Sequence, residues 1–294
     1  MRRILFVLPG QEELGASLQS LGSLEQGVLE LRHFPDGESY VRVDSEVRGA
    51  QVLILCQLHH PDDKILPLLL LVGTLRDLGA HSIGLVAPYL AYMRQDKRFH
   101  AGEGISARYF ARLLSQQFDW LLTVDPHLHR IHALSEVYSM PALALTAVEP
   151  IAQWLRSQVQ QPLIIGPDGE SEQWARKVAT AAGCPCEVLT KERFGDREVK
   201  VSLPHVTEYL DRTPVLVDDI ISTGRTMQQA AAHLRASGMS APVCIGVHGI
   251  FAPGAREEME AAGLRVVTSN SISDPSNRID LAPLLMLGLH QLLK

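Results

Sequence analysis

No stretch of this chain is apolar for long enough to cross a bilayer. The most apolar run, residues 65–72, is interrupted by Pro67 and falls far short of a span. Met1-Arg2-Arg3 before residues 4–8 imitates a secretory leader. Its apolar core is too short and no small-residue cleavage site follows, so it reads as a first strand. Cysteine is scarce: 4 in 294 residues give no disulfide framework. Cys184-Pro185-Cys186 lacks the two-residue spacer of redox pairs, and no second pair completes a zinc site. Reduced thiols of a cytoplasmic protein are expected. Positive charge is not in excess, since 27 Lys and Arg stand against 33 Asp and Glu for a net charge of −6. That balance excludes a general nucleic-acid binder. There is no Walker-type Gly-Lys-Ser/Thr, which removes the P-loop kinases. Gly102-x-Gly104-x-x-Ala107 follows no apolar strand, so it fails as a dinucleotide fingerprint.

What is present is alternation. Strand-like apolar runs recur at residues 4–8, 52–56, 83–87, 120–124, 163–165, 186–189, 215–217, 244–247 and 264–268. Helical periodicity lies between many of them, at 64–78, 105–117, 149–159, 170–182, 226–236 and 281–292. The pattern predicts α/β architecture with parallel sheets. The length suits two domains of ordinary size, and no low-complexity linker separates them. The join is placed near residues 146–150, with domains 1–146 and 147–294 and the C-terminal helix free to pack back on the first. An imperfect repeat pairs 52–56 with 163–165, 83–87 with 186–189 and 121–125 with 215–219, which implies duplication.

The most informative stretch is residues 214–227. A buried strand ends in Asp218 and Asp219, then Ser222-Thr223-Gly224-Arg225-Thr226 leads into a helix. Backbone N–H groups, hydroxyls and a helix N-terminus make a phosphate cradle. Two carboxylates beside it suit sugar hydroxyls or magnesium, so the expected ligand is a phosphorylated sugar. Residues 88–98 interleave cations with Tyr89 and Tyr92, which suits a nucleotide triphosphate better than a solvated charge run does. Asp125-Pro126-His127-Leu128-His129-Arg130-Ile131-His132 crowds histidines after a strand. A zinc site stays open there, although magnesium with one protein ligand and phosphate oxygens is the better fit beside a phosphate cradle. His59-His60 reads as loop histidines, and Asp62 or Asp63 as the N-cap of the next helix. Phe34-Pro35-Asp36-Gly37-Glu38 reads as a hairpin turn. Lys191 and Arg193, one residue apart in an extended loop, can face one side as transition-state clamps.

The 214–227 stretch resembles the phosphoribosyl-pyrophosphate motif of phosphoribosyltransferases and ribose-phosphate pyrophosphokinases. Taken with Phe34-x-Asp36-Gly37-Glu38, Arg94-Gln95-Asp96-Lys97, Asp125-x-His127, Pro167-Asp168-Gly169 and Lys191-x-Arg193, nearly the whole chain resembles the pyrophosphokinases, in their shorter archaeal form. The resemblance implies two tandem phosphoribosyltransferase-like (type I) domains. It implies transfer of the β,γ-diphosphoryl group of ATP to O1 of ribose 5-phosphate, with Mg2+ as the metal. Arg94, Gln95, Asp96 and Lys97 would then hold ATP. Phe34, Asp36 and Glu38 would complete the adenine pocket of a neighbouring subunit in a homo-oligomer. His127 and Asp168 would support the metal. Asp218 and Asp219 would bind the ribose hydroxyls, and Ser222, Thr223, Gly224, Arg225 and Thr226 the 5-phosphate. Lys191 and Arg193 would be catalytic. Arg130 and His132 replace glutamines that the resemblance leads one to expect, and Asp62 replaces an asparagine. A phosphoribosyltransferase and a non-catalytic regulatory homologue are the competing readings.

Overall fold

Each apolar run with a β-branched centre forms a strand, and the helical periodicities supply the connections that parallel strands require. The computed structural model describes residues 1–293 except 168–170, 195–197 and 203–207; for 190–194 and 198–202 it describes the backbone alone. Two units result, Met1–Leu145 with Ala282–Lys294, and Thr146–Leu281.

The first unit contains β1 (Arg3–Val7), α1 (Glu12–Gly22), β2 (Glu25–Gln26), β3 (Leu29–His33), β4 (Ser39–Val43), β5 (Gln51–Leu55), α2 (Asp62–Asp77), β6 (Ser82–Ala87), α3 (Ser106–Gln117), β7 (Trp120–Val124) and β8 (Ala142–Leu145). The second contains α4 (Val148–Gln158), β9 (Pro162–Gly166), α5 (Glu172–Ala182), β10 (Cys186–Val188), β11 (Thr190–Phe194), β12 (Glu198–Ser202), β13 (Thr213–Ile221), α6 (Arg225–Ala236), β14 (Val243–Gly249), α7 (Ala255–Ala261), β15 (Arg265–Ser269) and β16 (Asn277–Ile279). The last helix, α8 (Ala282–Leu292), returns to the first unit.

The two sheets have one topology. The first runs β2-β1-β5-β6-β7-β8 and the second β10-β9-β13-β14-β15-β16, all pairs parallel. Each unit also carries an antiparallel ribbon, β3–β4 and β11–β12. Strand position therefore equates β1 with β9, β5 with β13, β6 with β14 and β7 with β15. This corrects the repeat read from the sequence, whose pairs 52–56 with 163–165, 83–87 with 186–189 and 121–125 with 215–219 each join strands at different positions in the two sheets. Buried strands of Val, Ile and Leu look alike, and only their place in the sheet distinguishes them.

The terminal helices are exchanged. Helix α4 follows the last strand of the first sheet but packs on α5 and β16, while α8 follows the last strand of the second and packs on α1, β7 and β8. Gly288 lets α8 lie close against Leu122 and Leu145. The cores hold strand residues such as Ile54, Ile83 and Leu121 in the first unit, and Ile165, Leu216 and Cys244 in the second. A fully buried Leu or Ile of this kind contributes about 1.5–3 kcal/mol. None of the described helices is long and apolar enough to cross a membrane.

Candidate active site

In both sheets the loops at the carboxyl ends of the strands carry the polar motifs, as open parallel sheets require. In the second unit β13 runs further than its apolar run, so Asp218 and Asp219 lie on the strand, both half-buried, rather than after it. The Asp219 N–H donates to Asp218 Oδ1 at 2.9 Å, which fixes that carboxylate against the backbone. The loop shortens to Ser222, Thr223 and Gly224, because α6 starts at Arg225 rather than Thr226. Gly224 is the N-cap at φ 68°, a left-handed conformation that bends the chain from strand to helix. Gly224 offers no side chain to cap α6, which leaves the first N–H groups and the positive dipole end of the helix able to receive an anion. The segment after β14 holds this cradle from below: Ile250 N–H donates to Ile221 O at 3.0 Å, and Ala252 N–H to Ser222 O at 3.2 Å.

In the first unit, the loop after β6 brings Arg94, Gln95, Asp96 and Lys97 together. Arg94 and Lys97 are exposed, whereas Asp96 is buried. Its carboxylate accepts from the Arg130 guanidinium at 3.2 and 3.4 Å and from the Arg130 N–H at 3.3 Å. Asp96 is thus a strut between the loops after β6 and β7. Gln95 is likewise engaged, with Nε2 donating to Glu103 Oε2 at 3.1 Å. The Glu103 carboxylate also accepts the N–H groups of Phe99 and His100. Those bonds, that from His100 foremost, hold its pKa below the usual range. Lys97 Nζ lies 5.1 Å and Arg130 Cζ 5.6 Å from the centre of the exposed Phe99 ring. The Arg130→Ala variant is expected to loosen the loop that carries Arg94 and Lys97. It should also lower Tm by stranding a buried carboxylate. Adding Asp96→Asn should restore most of the stability, as thermal denaturation would show.

After β7, Asp125 and His127 adopt φ 35° and 51°, strained values for residues with a side chain. The half-buried His127 ring meets His129 with centroids 4.1 Å apart. After β5, His59 is held by Gln57 Oε1, which accepts its N–H at 3.1 Å, and lies against His60. Burial first, and the charges of His60 and Lys64 second, push His59 down from 6.5 to about 4. The unfolded ring then takes its proton before the folded one. Stability from His59 is complete above pH 6.5 and is lost as pH falls towards 4. His59→Asn should flatten the Tm profile in that window; an unchanged slope would contradict the assignment. Asp62 and Asp63 do not cap α2. They lie in its first turn after Pro61, where their negative charge complements the positive dipole end, and Asp62 accepts the Tyr92 hydroxyl.

Phe34, Asp36 and Glu38 sit at the tip of the β3–β4 ribbon. Gly37 turns it at φ 92°, and the Glu38 N–H donates to Asp36 Oδ1 at 3.2 Å. Phe34 is 40% exposed, and its ring lies edge-on to Tyr40 and beneath Arg32 of its own ribbon. Lys191 and Arg193 fall on β11, opposite Val201 and Val199 of β12, rather than in an extended loop. Their side chains, and all of Asp168, lie outside the described residues. The cysteines are free, and burial raises Cys56 and Cys244 to about 12 and Cys186 to about 11.

Residues 3–117 match the N-terminal domain of ribose phosphate pyrophosphokinase, and residues 134–283 the phosphoribosyl transferase domain. The ribose-phosphate pyrophosphokinase of Methanobrevibacter smithii is 34% identical over 268 residues, 86% of this chain and 89% of that protein. That of Methanothermobacter thermautotrophicus is 33% identical across 93% of this chain and 95% of its own. The chain belongs to the ribose-phosphate pyrophosphokinase family. Its fold is that of the crystal structure of phosphoribosylpyrophosphate synthetase from Mycobacterium smegmatis, with a TM-score of 0.87 at 24% identity over 100% of this chain and 99% of that one.

Within this family frame, sequence reasoning named the strand-end acids, the cradle and the cationic loops. It missed Glu103, which closes the Arg94–Lys97 loop. The Gly102-x-Gly104 signal around Glu103 was legible, but it serves a turn rather than a dinucleotide. It also missed Met259, which packs against Gly224 across a long sequence separation.

Proposed function

We propose that the chain is a ribose-phosphate diphosphokinase that moves the β,γ-diphosphoryl group of ATP to O1 of ribose 5-phosphate. The observation that carries this reading is the β13–α6 turn. Two half-buried carboxylates lie near the carboxyl end of β13, and Gly224 turns the chain from that strand into a helix with no side-chain cap. That combination matches a ligand with hydroxyls at one end and a phosphate at the other. Asp218 and Asp219 take the ribose hydroxyls, and the backbone and hydroxyls from Ser222 to Thr226 take the 5-phosphate.

With the sugar held, its O1 attacks the β-phosphorus in line. The bond from that phosphorus to the α,β-bridging oxygen breaks, AMP leaves with that oxygen, and the O1 proton passes to solvent. Arg94 and Lys97 meet the triphosphate, with Asp96 and Gln95 bracing their loop. Lys191 and Arg193 neutralise the equatorial oxygens of the transferring group, the main demand of phosphoryl transfer. The donor set suits a magnesium ion that keeps most of its ligands as phosphate and water oxygens, with His127 and Asp168 as its protein side. Magnesium would neutralise phosphate charge. The exposed hairpin tip with Phe34, Asp36 and Glu38 suits a nucleotide site completed by a second copy of this chain. A cytoplasmic location agrees with the unpaired cysteines.

Product analysis with ATP, ribose 5-phosphate and magnesium tests the proposal. AMP in step with phosphoribosyl diphosphate is expected. ADP would make the chain a simple kinase, and sugar-phosphate binding without nucleotide turnover would make it a regulatory homologue.

A further inference from the structure

The loop that carries Arg94 contains a strained residue that the mechanism above leaves unused. Residues 91–94 form a turn, and Tyr92, the second of them, has φ 63°. A turn that needs a left-handed residue at that place normally takes glycine, because a side chain is strained there. Ala91 and Met93 on either side are 3% and 2% exposed, so the backbone cannot easily swing away.

The tyrosine makes two contacts that glycine could not. Its ring meets that of Phe110 on α3, with centroids 4.7 Å apart. Its hydroxyl donates to the Asp62 carboxylate in the first turn of α2. That bond, ahead of burial, raises the Tyr92 pKa above its ordinary value, so the hydroxyl keeps the hydrogen it donates. The backbone adds a tie between the same two loops, from Leu58 N–H to Tyr89 O at 3.0 Å.

These contacts fix the loop just before Arg94. Just after it, Gln95 is held by Glu103 and Asp96 by Arg130. Arg94 itself is exposed between the two anchored stretches. A guanidinium binds phosphate through a planar fork, and a fork aimed beforehand loses less freedom on binding. Backbone strain of this kind persists where surrounding contacts over-determine it, and it gathers at sites that must be aimed.

We infer that Tyr92 is a positioning residue for the nucleotide triphosphate, fixing the turn that presents Arg94 through its hydroxyl bond to Asp62 and its ring on Phe110. The inference rests on the nucleotide reading of the Arg94–Lys97 loop given above. The test compares Tyr92→Phe, Tyr92→Gly, Asp62→Ala and Asp62→Asn. It is read by calorimetric Kd for ATP with magnesium and without sugar phosphate, and by kcat and KM for both substrates. Tyr92→Phe removes the hydroxyl and Asp62→Ala its acceptor. Each should raise Kd and KM for ATP about fivefold and leave kcat and the KM for ribose 5-phosphate within about twofold, the pattern of lost ground-state binding. Asparagine keeps an oxygen that accepts the hydroxyl, so Asp62→Asn should stay within about twofold of the parent. Tyr92→Gly relaxes the turn but makes neither contact, and should weaken ATP binding about tenfold. Tyr92→Phe with Asp62→Ala should cost no more than either alone, because both break one bond. In an Arg94→Ala background, Tyr92→Phe should add less than about twofold, because the residue it aims is gone.

Normal ATP affinity in Tyr92→Phe or Tyr92→Gly would overturn the inference. So would an Asp62→Asn variant as poor as Asp62→Ala, an equal loss of ribose 5-phosphate affinity, or an undiminished Tyr92→Phe effect in the Arg94→Ala background. If Tyr92→Gly does not fold, Tyr92→Phe and the two Asp62 variants still decide. A parent protein that binds ATP but forms no AMP would refute the diphosphokinase reading alone, because the ATP Kd series would still report on Tyr92. A parent with no affinity for ATP would overturn both.

Discussion

Alanine at Lys191 or Arg193 is expected to lower kcat by roughly 10³-fold while changing the KM for either substrate only a few-fold, the signature of a group that acts in the transition state. Diphosphoryl transfer spreads negative charge over oxygens that the ground state presents less tightly, so a cation placed there stabilises the transition state more than the bound substrates. Both residues lie on β11, two positions apart in an antiparallel ribbon, and the corresponding ribbon in the first unit has Glu30 and Arg32 amid its strand. The two ribbons occupy like places in like units yet carry different chemistry. Steady-state kinetics with AMP as the readout would check this. Turnover within about threefold of the parent in either variant would remove that residue from catalysis.

Valine at Gly224 should abolish sugar-phosphate binding and destabilise the second unit. Two costs add. A left-handed φ of 68° is unfavourable for a β-branched residue, by about 1–2 kcal/mol or more. A side chain here would also overlap Met259 Sδ and stand 2.8 Å from its Cγ, which forces overpacking worth about 1–3 kcal/mol. The costs separate experimentally. Gly224→Ala with Met259→Ala should recover part of the lost Tm but not ribose 5-phosphate affinity, because the conformational cost remains and the turn still aims α6 wrongly. Full recovery of affinity in the double variant would show that packing alone mattered.

How much of this was legible beforehand can be argued from particular residues. Asp218, Asp219 and the Ser222–Thr226 stretch stood out because their side-chain chemistry is local: strand, acids, small residues and helix follow one another without interruption. The parallel α/β class was equally legible, since alternating apolar runs and amphipathic helices admit few other arrangements. Asp96 was a different matter. In the sequence it is one acid among cations, a plausible nucleotide contact. Burial against Arg130, 34 positions away, makes it a brace between two loops, which the sequence does not show. Helix α1 and the short α7 escaped notice; α7 spans only 7 residues, too few for a helical period to stand out.

The repeat shows where the division falls. Composition and periodicity by themselves determined that the chain is α/β with parallel sheets, because that property depends on neighbours within about one turn or one strand. Only the tertiary structure decided which strand answers which, because every strand buried on both faces is written in the same apolar letters. The exchange of α4 and α8 between units depends on tertiary packing for the same reason. So does the 2.9 Å contact between the buried His248 Nδ1 and Ser271 Oγ, which joins β14 to the loop beyond β15.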